Sequence, residues 1–240
     1  MNGPPQRPDL EPAFLMHRRP YRETSALLET FTREHGRVAL VARGARRPRS
    51  SLRGALQPFV PLLIGWTARG ELGTLRSVEV PMAVKTLDGR GLHSGLYMNE
   101  LLLRLTHRND PHPELFDAYT VVVAALRAGG DEQQALRIFE KRTLESIGYG
   151  MLLDREADTG APVLPERHYA YRPDHGPTLA TPRKGESIDV TGATLLALAR
   201  EDVLDTEAQR DAKRLMRFVI GTHLGGRPLA SRGLFRRNEG

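Results

Sequence analysis

Cysteine is absent from all 240 residues, so the chain has no disulfides and no thiolate metal site. Lysine is scarce, at four of the 35 basic residues, which makes the positive charge almost entirely guanidinium. No stretch of about 18 apolar residues occurs, and a membrane span is therefore not expected. The opening segment "MNGPPQRPDLEP" is polar and proline-bearing, with no apolar core of a secretory signal. Residues 1–10 are expected to form a flexible tail, on a bacterial-type cytosolic protein. Catalytic motifs are also wanting. There is no G-x-x-x-x-G-K-[ST] phosphate cradle. "GLHSG" at Gly91–Gly95 places its serine one position late for a nucleophile elbow. His107 with His112, and His168 with His175, lack the spacing that sets two imidazoles on one face around zinc. No D-x-D cluster points to two-metal chemistry. The expectation is a protein that is not an enzyme, with no catalytic residue, no cofactor and no metal.

What the chain does have is arginine, gathered in two places. The formal net charge is +6, yet the Arg33–Arg53 window holds seven arginines against one acid, Glu34. The Lys213–Arg237 window holds seven basic residues and no acid, which leaves the remainder net negative. Two basic islands on a mildly acidic body are the footprint of a polyanion binder. The denser island contains "VARGARRPRSSLRG", Val41–Gly54, where a proline and serines discourage regular structure. An exposed, mobile connection between strands is expected there.

Hydrophobic periodicity divides the chain. From Ala13 to about Val80 the pattern is strand-like, with no convincing helix. "SALLETF", the turn "REHG" and "RVALVARG" form a hairpin with Gly36 in the turn, and "PFVPLLIGW" pairs with "LGTLRSVEV". About five short strands in some 70 residues dispose of their edges best by closing into a small barrel. Beyond Val84 the period becomes helical. "SGLYMNELLLRLTHR" takes Ser94 as N-cap, "ELFDAYTVVVAALRAGG" ends in glycines, and "DEQQALRIFEKRTLESIGYG" opens with Asp131 and Gln134 at capping-box spacing. Residues 152–187 read as an irregular insertion with a small hairpin at "RHYAYRP". Helices return in "TGATLLALARE" and "DTEAQRDAKRLMRFVIGTHL". In the last, at about 100° per residue, Ala208, Ala212, Leu215, Met216 and Val219 share one face. Arg210, Lys213, Arg214 and Arg217 share the opposite one.

Several of these stretches carry a resemblance. "YRETSALLETFT", the turn at Gly36–Arg37, "ARGARRPRS" and "LQPF" resemble the N-terminal domain of the RecO family of bacterial recombination-mediator proteins. The likeness continues in order through "GLYMNELLLRL", "LRIFE", "LESIGYG" and "HLGGRPLASRGLF". It implies an α+β chain: an OB-fold β-barrel over 11–82, then a mainly α-helical domain over 83–240, with the junction between Val80 and Gly91. It also implies binding of single- and double-stranded DNA, annealing of complementary strands, and partnership with RecR. Binding of the acidic C-terminal tail of the single-stranded DNA-binding protein, and help in loading RecA onto strands that protein coats, are implied too. Some members of the family carry a four-cysteine zinc site in the helical domain. Here the region Leu152–Pro177 has to hold its shape without metal.

The candidate phosphate contacts are Arg37, Arg43, Arg46, Arg47, Arg49 and Arg53, since a planar guanidinium binds phosphate bidentately and stacks on bases. Gly44 and Gly54 let that segment bend. The second island offers Lys213, Arg214, Arg217, Arg227 and Arg232, with Arg236 and Arg237. Among Tyr21, Phe31, Phe59 and Trp66, Tyr21 is the best stacking candidate because charged residues surround it. For an acidic peptide with an apolar end, Arg137, Phe139 and Tyr149 are the candidate pocket, with an internal ion pair of Arg137 to Glu140 or Asp131 as the alternative. Two other classes fit the charge pattern: an adaptor that meets acidic proteins, and an RNA-binding OB protein.

Overall fold

A computed structural model describes residues 10–68, 70–231 and 233. All of the expected tail except Leu10 lies outside the described residues, as do Arg232, Arg236 and Arg237. Five strands make up the N-terminal part: β1 (Glu11–Tyr21), β2 (Ser25–Thr32), β3 (Gly36–Ala42), β4 (Pro61–Thr67) and β5 (Gly73–Glu79). They close into a barrel in the order β1-β2-β3-β5-β4. Four of the five contacts are antiparallel, and β3 meets β5 in parallel through Leu40–Gly73 and Val41–Thr74. This is the closure of an OB-type barrel, with no strand left at an edge over the closed part.

The alternation of the strands explains the core. Leu15, Leu28, Leu40, Leu62 and Ile64 are at most 1% exposed and fill the barrel, with Trp66, Leu75 and Val78 packed against them. Each such side chain contributes roughly 1.5–3 kcal/mol of burial. β1 and β2 also bury their other face: Phe14 and Phe31 lie with ring centroids 5.6 and 5.4 Å from Phe116. The hairpin of β2 and β3 turns at Gly36, whose φ is +64°. A Cβ there would stand 1.9 Å from the Asp110 carbonyl oxygen, so the position needs glycine on two counts.

The strand-like region contains one helical turn that the sequence pattern does not announce, α1 (Leu52–Ala55). The long helices are α2 (Gly89–Leu105), α3 (Pro113–Arg127), α4 (Glu132–Ser146), α5 (Gly192–Arg200) and α6 (Thr206–His223). α2 starts earlier than expected. Ser94 is a fully buried residue inside it and not its N-cap. Asp131 does cap α4, accepting from the Gln134 backbone N–H at 3.0 Å. Gln134 does not complete a capping box; its side chain reaches the backbone of Asp202 and Leu204.

The chain forms two compact units, and no single cut separates them. One comprises the described residues up to Gly95 with Thr106–Val123; the other comprises Leu96–Leu105 and the described residues from Ala124 onward. Ring contacts explain why part of α3 counts with the barrel: Phe116 and Tyr119 cover Phe14 and Phe31. In the second unit the insertion carries β6 (His168–Arg172), β7 (Gly176–Thr178) and β8 (Ile188–Thr191), ordered β7-β6-β8. Apolar burial and backbone bonds order this stretch. Leu153, Val163, Tyr169 and Tyr171 are buried, the Tyr169 hydroxyl accepts from the Leu164 N–H at 2.9 Å, and Ala157 N–H donates to the Pro177 carbonyl. Buried Glu156 accepts from the Thr159 hydroxyl at 2.7 Å. Among the described residues no group of three or more possible ligands gathers in metal-binding geometry. No helix among them is long and apolar enough to cross a membrane.

Candidate nucleic-acid interface

The arginine segment is folded. Ala45 is buried in the barrel core and Leu52 packs against it, so the connection is anchored from below at both ends. Between these anchors the backbone closes successive turns: Arg47 N–H to Gly44 O, Ser50 N–H to Arg47 O, and Arg53 N–H to Ser50 O. Gly44 supplies the one left-handed residue, at φ +69°. The connection is exposed as expected, but it is built of hydrogen-bonded turns where irregular chain was expected. A row of tight turns lifts Arg43, Arg47, Arg49 and Arg53 into solvent from a fixed base. Less conformational entropy is then lost when they bind.

Arg46 has another task. Its backbone N–H donates to the Thr24 carbonyl at 2.9 Å, and its Nη1 donates to the Arg22 and Glu23 carbonyls at 3.1 and 3.2 Å. These bonds tie the segment to the turn between β1 and β2. That turn is itself basic. Beyond the register shift between Leu15 and His17, β1 keeps only β2 as a ladder partner, and His17, Arg18, Arg19 and Arg22 are all exposed. Arg18, Arg19 and Arg22 thus join the loop arginines on one anchored body. Glu23 is the only carboxylate in residues 17–24 and 43–54. The three had been legible only as the basic run "HRRPYR". What joins them to the loop is hydrogen bonding across 24 residues, which no local pattern encodes. Tyr21 is half-buried and carries the Arg22 guanidinium 5.3 Å from its ring centroid, a cation–π pair. Phe31 and Phe59 are fully buried, and Trp66 is partly buried with its ring against His35, so these three serve the barrel.

Arg37 does not belong to this surface. It is buried, its Nη1 donates to the Thr106 carbonyl at 2.6 Å, and its Nη2 lies 3.7 Å from Glu29. Burial pushes its pKa down from the ordinary arginine value, and Glu29, also paired with Arg108, opposes that shift. Asn109 N–H donates to the Arg37 carbonyl at 2.9 Å, so this residue fastens the segment after α2 onto the strand. A buried, hydrogen-bonded guanidinium has no free fork for phosphate.

In the second unit α6 bears the other basic surface. Asp205 caps it by accepting from the Ala208 N–H at 2.9 Å, and Ala212, Leu215, Met216, Val219 and Ile220 are buried. Arg210, Lys213, Arg214 and Arg217 are exposed along the opposite side. Arg214 donates to Asp211 at 2.8 Å and to the Asp189 carbonyl at 3.2 Å, which fixes its direction. These four cations line a groove of about 850 Å³ that also includes Ile188, Phe218 and Gly221. Arg227 is exposed in the loop after the helix.

The expected peptide pocket does not form. Arg137 is 5% exposed, and its Nη2 donates to Glu140 Oε1 at 2.8 Å, an oxygen that also accepts from the Tyr97 hydroxyl at 2.5 Å. Phe139 is fully buried. Tyr149 is 49% exposed, but its ring lies 4.2 Å from that of His223. The physical reason is that α4 is enclosed: Leu136, Phe139, Thr143 and Leu144 are buried with Arg137, so its charge needs an internal partner. The internal ion pair with Glu140 is the reading that holds.

A closed OB-type barrel with an anchored arginine surface, followed by a helical unit with a basic helix, defines a class built to meet polyanions. The particular family is then plain. The family model for the recombination protein O N-terminal domain matches residues 10–82, and that for its C-terminal domain matches 87–233. The DNA repair protein RecO of Methylococcus capsulatus is 50% identical over 235 residues, covering 98% of this chain and 96% of that one. Its counterpart from Nitrosococcus oceani is 46% identical, covering 94% and 92%. That of Alkalilimnicola ehrlichii is 46% identical, covering 95% and 90%. The chain belongs to the RecO family of DNA repair and recombination proteins.

Proposed function

We propose that this protein is a recombination mediator that binds single- and double-stranded DNA and anneals complementary strands. In this reading it works with RecR to help load RecA where the single-stranded DNA-binding protein coats the strand. The observation that carries the reading is the anchored arginine surface of the barrel. Arg18, Arg19, Arg22, Arg43, Arg47, Arg49 and Arg53 are exposed there, and Glu23 is the only carboxylate in the two segments that carry them. Annealing requires no bond chemistry. It requires that two polyanions be brought together against their repulsion, which two cationic surfaces on separate units accomplish while base pairing supplies specificity. The acidic tail of the coat protein is met at a site other than Arg137 and Phe139, which are buried.

The test is binding of labelled single strands as a function of salt. Log affinity falls with log salt at a slope near −0.7 per phosphate neutralised. Alanine at Arg43, Arg47, Arg49 and Arg53 together flattens that slope by about 3. A slope near zero in the unaltered protein, or one unchanged by the four substitutions, overturns the reading. Equal-length RNA bound more tightly than DNA turns it toward RNA.

A further inference from the structure

We propose that a cleft between the insertion and α5 receives the α5–α6 corner of a second copy of this chain, so that copies held side by side on one DNA strand dock on each other. This rests on the DNA-binding reading above and adds to it a contact between neighbours, made by residues that belong to neither cationic surface.

The cleft has a volume of about 600 Å³. Ala193, Leu196 and Ala197, which share one face of α5, line one side of it, and Val163 and Pro165 of the insertion line the other. Backbone bonds fix these walls: Val163 N–H donates to the Asp154 carbonyl at 2.9 Å, and Ala193 N–H donates to the Pro165 carbonyl at 3.0 Å. The side chain that fits such a floor lies next to it. Val203 directly follows Asp202, itself a lining residue, and at 88% exposure it is the most solvent-exposed large apolar side chain among the described residues. It stands on a pinned corner and not on a loose loop. The Gln134 side chain donates to the Asp202 carbonyl at 2.8 Å and accepts from the Leu204 N–H at 3.1 Å, and Leu204 is buried. An apolar knob held in place in this way loses little entropy on docking.

Charge selects the occupant. The rim carries Arg155 beside Asp154 on the insertion side, and Arg200 with Asp202 on the α5 side. Arg200 and Asp202 enter no ion pair among the described residues, and Arg155 approaches Asp154 only to 3.9 Å. A rim of balanced sign does not attract a polyanion, which sets this cleft apart from the two DNA-facing surfaces. With one cation and one anion on each side, it is instead complementary to itself. In a two-fold contact each cation meets an anion of the mate, and knob and cleft, being adjacent, both engage. A recess of this size makes a small, transient interface, which forms where a shared strand raises the local concentration of copies.

The absence of cysteine makes the contact testable by disulfide trapping. Full-length Val203→Cys and Ala197→Cys chains are mixed at low concentration with a single strand that holds several copies, oxidised, and read on a non-reducing gel. The controls are a strand that holds one copy, and Val121→Cys in place of Val203→Cys, since Val121 is also exposed and lies on α3. The expected result is a mixed dimer about tenfold above both controls. In anisotropy titrations Val203→Asp leaves affinity for the short strand within about twofold and weakens binding to the long one about tenfold. No mixed dimer on the long strand, or an equal yield from Val121→Cys, overturns the proposal. So does shielding of Ala197→Cys from maleimide by purified RecR but not by strand-bound copies, which assigns the cleft to a different protein. If no strand is bound at all, the DNA reading fails, and oxidation of the free chains at high concentration decides the contact alone: a mixed dimer of Val203→Cys with Ala197→Cys upholds it, and none refutes it.

Discussion

The barrel loop and α6 carry similar positive charge on unlike foundations. The loop is a chain of backbone turns whose only apolar contributions, Ala45 and Leu52, point down into the core. What it shows to solvent is guanidinium. α6 is amphipathic, and at the border of its two faces Phe218 and Gly221 stay accessible beside the cations. The lesson is that charge density alone does not define a nucleic-acid surface. A loop of turns presents charge alone, whereas a helix edge sets charge and apolar surface side by side. A third population sharpens the contrast: Arg37 and Arg137 are buried against Glu29 and Glu140 and belong to the fold.

The largest effect is therefore expected where neither surface is touched. Arg137→Ala breaks the buried ion pair with Glu140 and costs about 3–5 kcal/mol of stability, measured by denaturant unfolding. DNA affinity of the protein that remains folded is unchanged. Retained stability with lost binding would move Arg137 onto the binding surface and break the contrast. Next comes alanine at Arg43, Arg47, Arg49 and Arg53, which lowers affinity for single strand and duplex alike by about 100-fold at low salt. A loss confined to single strands would erase the distinction between loop and helix edge. Arg46→Ala acts by a different route. It frees the loop from the Arg22 and Glu23 carbonyls, and weakens binding about fivefold through lost preorganisation. Hydrogen exchange of the backbone amide at position 46, which donates to the Thr24 carbonyl, speeds up in the same variant; unchanged exchange would count against the anchor. Asp205→Ala removes the α6 cap and costs about 1 kcal/mol, read from the unfolding midpoint.

The smallest effect is one of pH. Hydrogen bonds from Arg142 and from Lys141 hold the Glu201 carboxyl below the usual carboxylate range, against the opposing pull of partial burial. Its folded pKa is lower than its unfolded one. The stabilisation is thus present above the unfolded value and is lost as pH falls through the folded one. Glu201→Gln lowers stability at neutral pH and makes its decline in acid shallower. An identical acid profile in wild type and variant would remove this residue from the linkage.

Much of the barrel was legible because a period of two has one meaning in a half-buried sheet. The turn at Gly36 and the pairing of "PFVPLLIGW" with "LGTLRSVEV" could be read from local pattern. α6 was equally readable, since its moment separates cations from core over five turns. The failures share one cause. Arg37 and Arg137 look like every other arginine in the sequence, and their burial is decided by what packs over them: the segment after α2 in one case, the enclosure of α4 in the other. Arg18, Arg19 and Arg22 were missed for the converse reason, that their joining the arginine loop on one basic surface depends on Arg46 reaching back to their turn.

By itself, then, the order of residues determined where charge is concentrated along the chain, where the strand period gives way to the helical one, and that no thiol holds the insertion together. Those are properties of composition and short-range periodicity. Tertiary structure alone decided which guanidinium groups face water, which are neutralised inside, and which apolar side chains lie beside the exposed ones. The reason is physical: the solvation of a charge depends on every atom within several ångströms of it, and most of those atoms belong to residues far away in sequence.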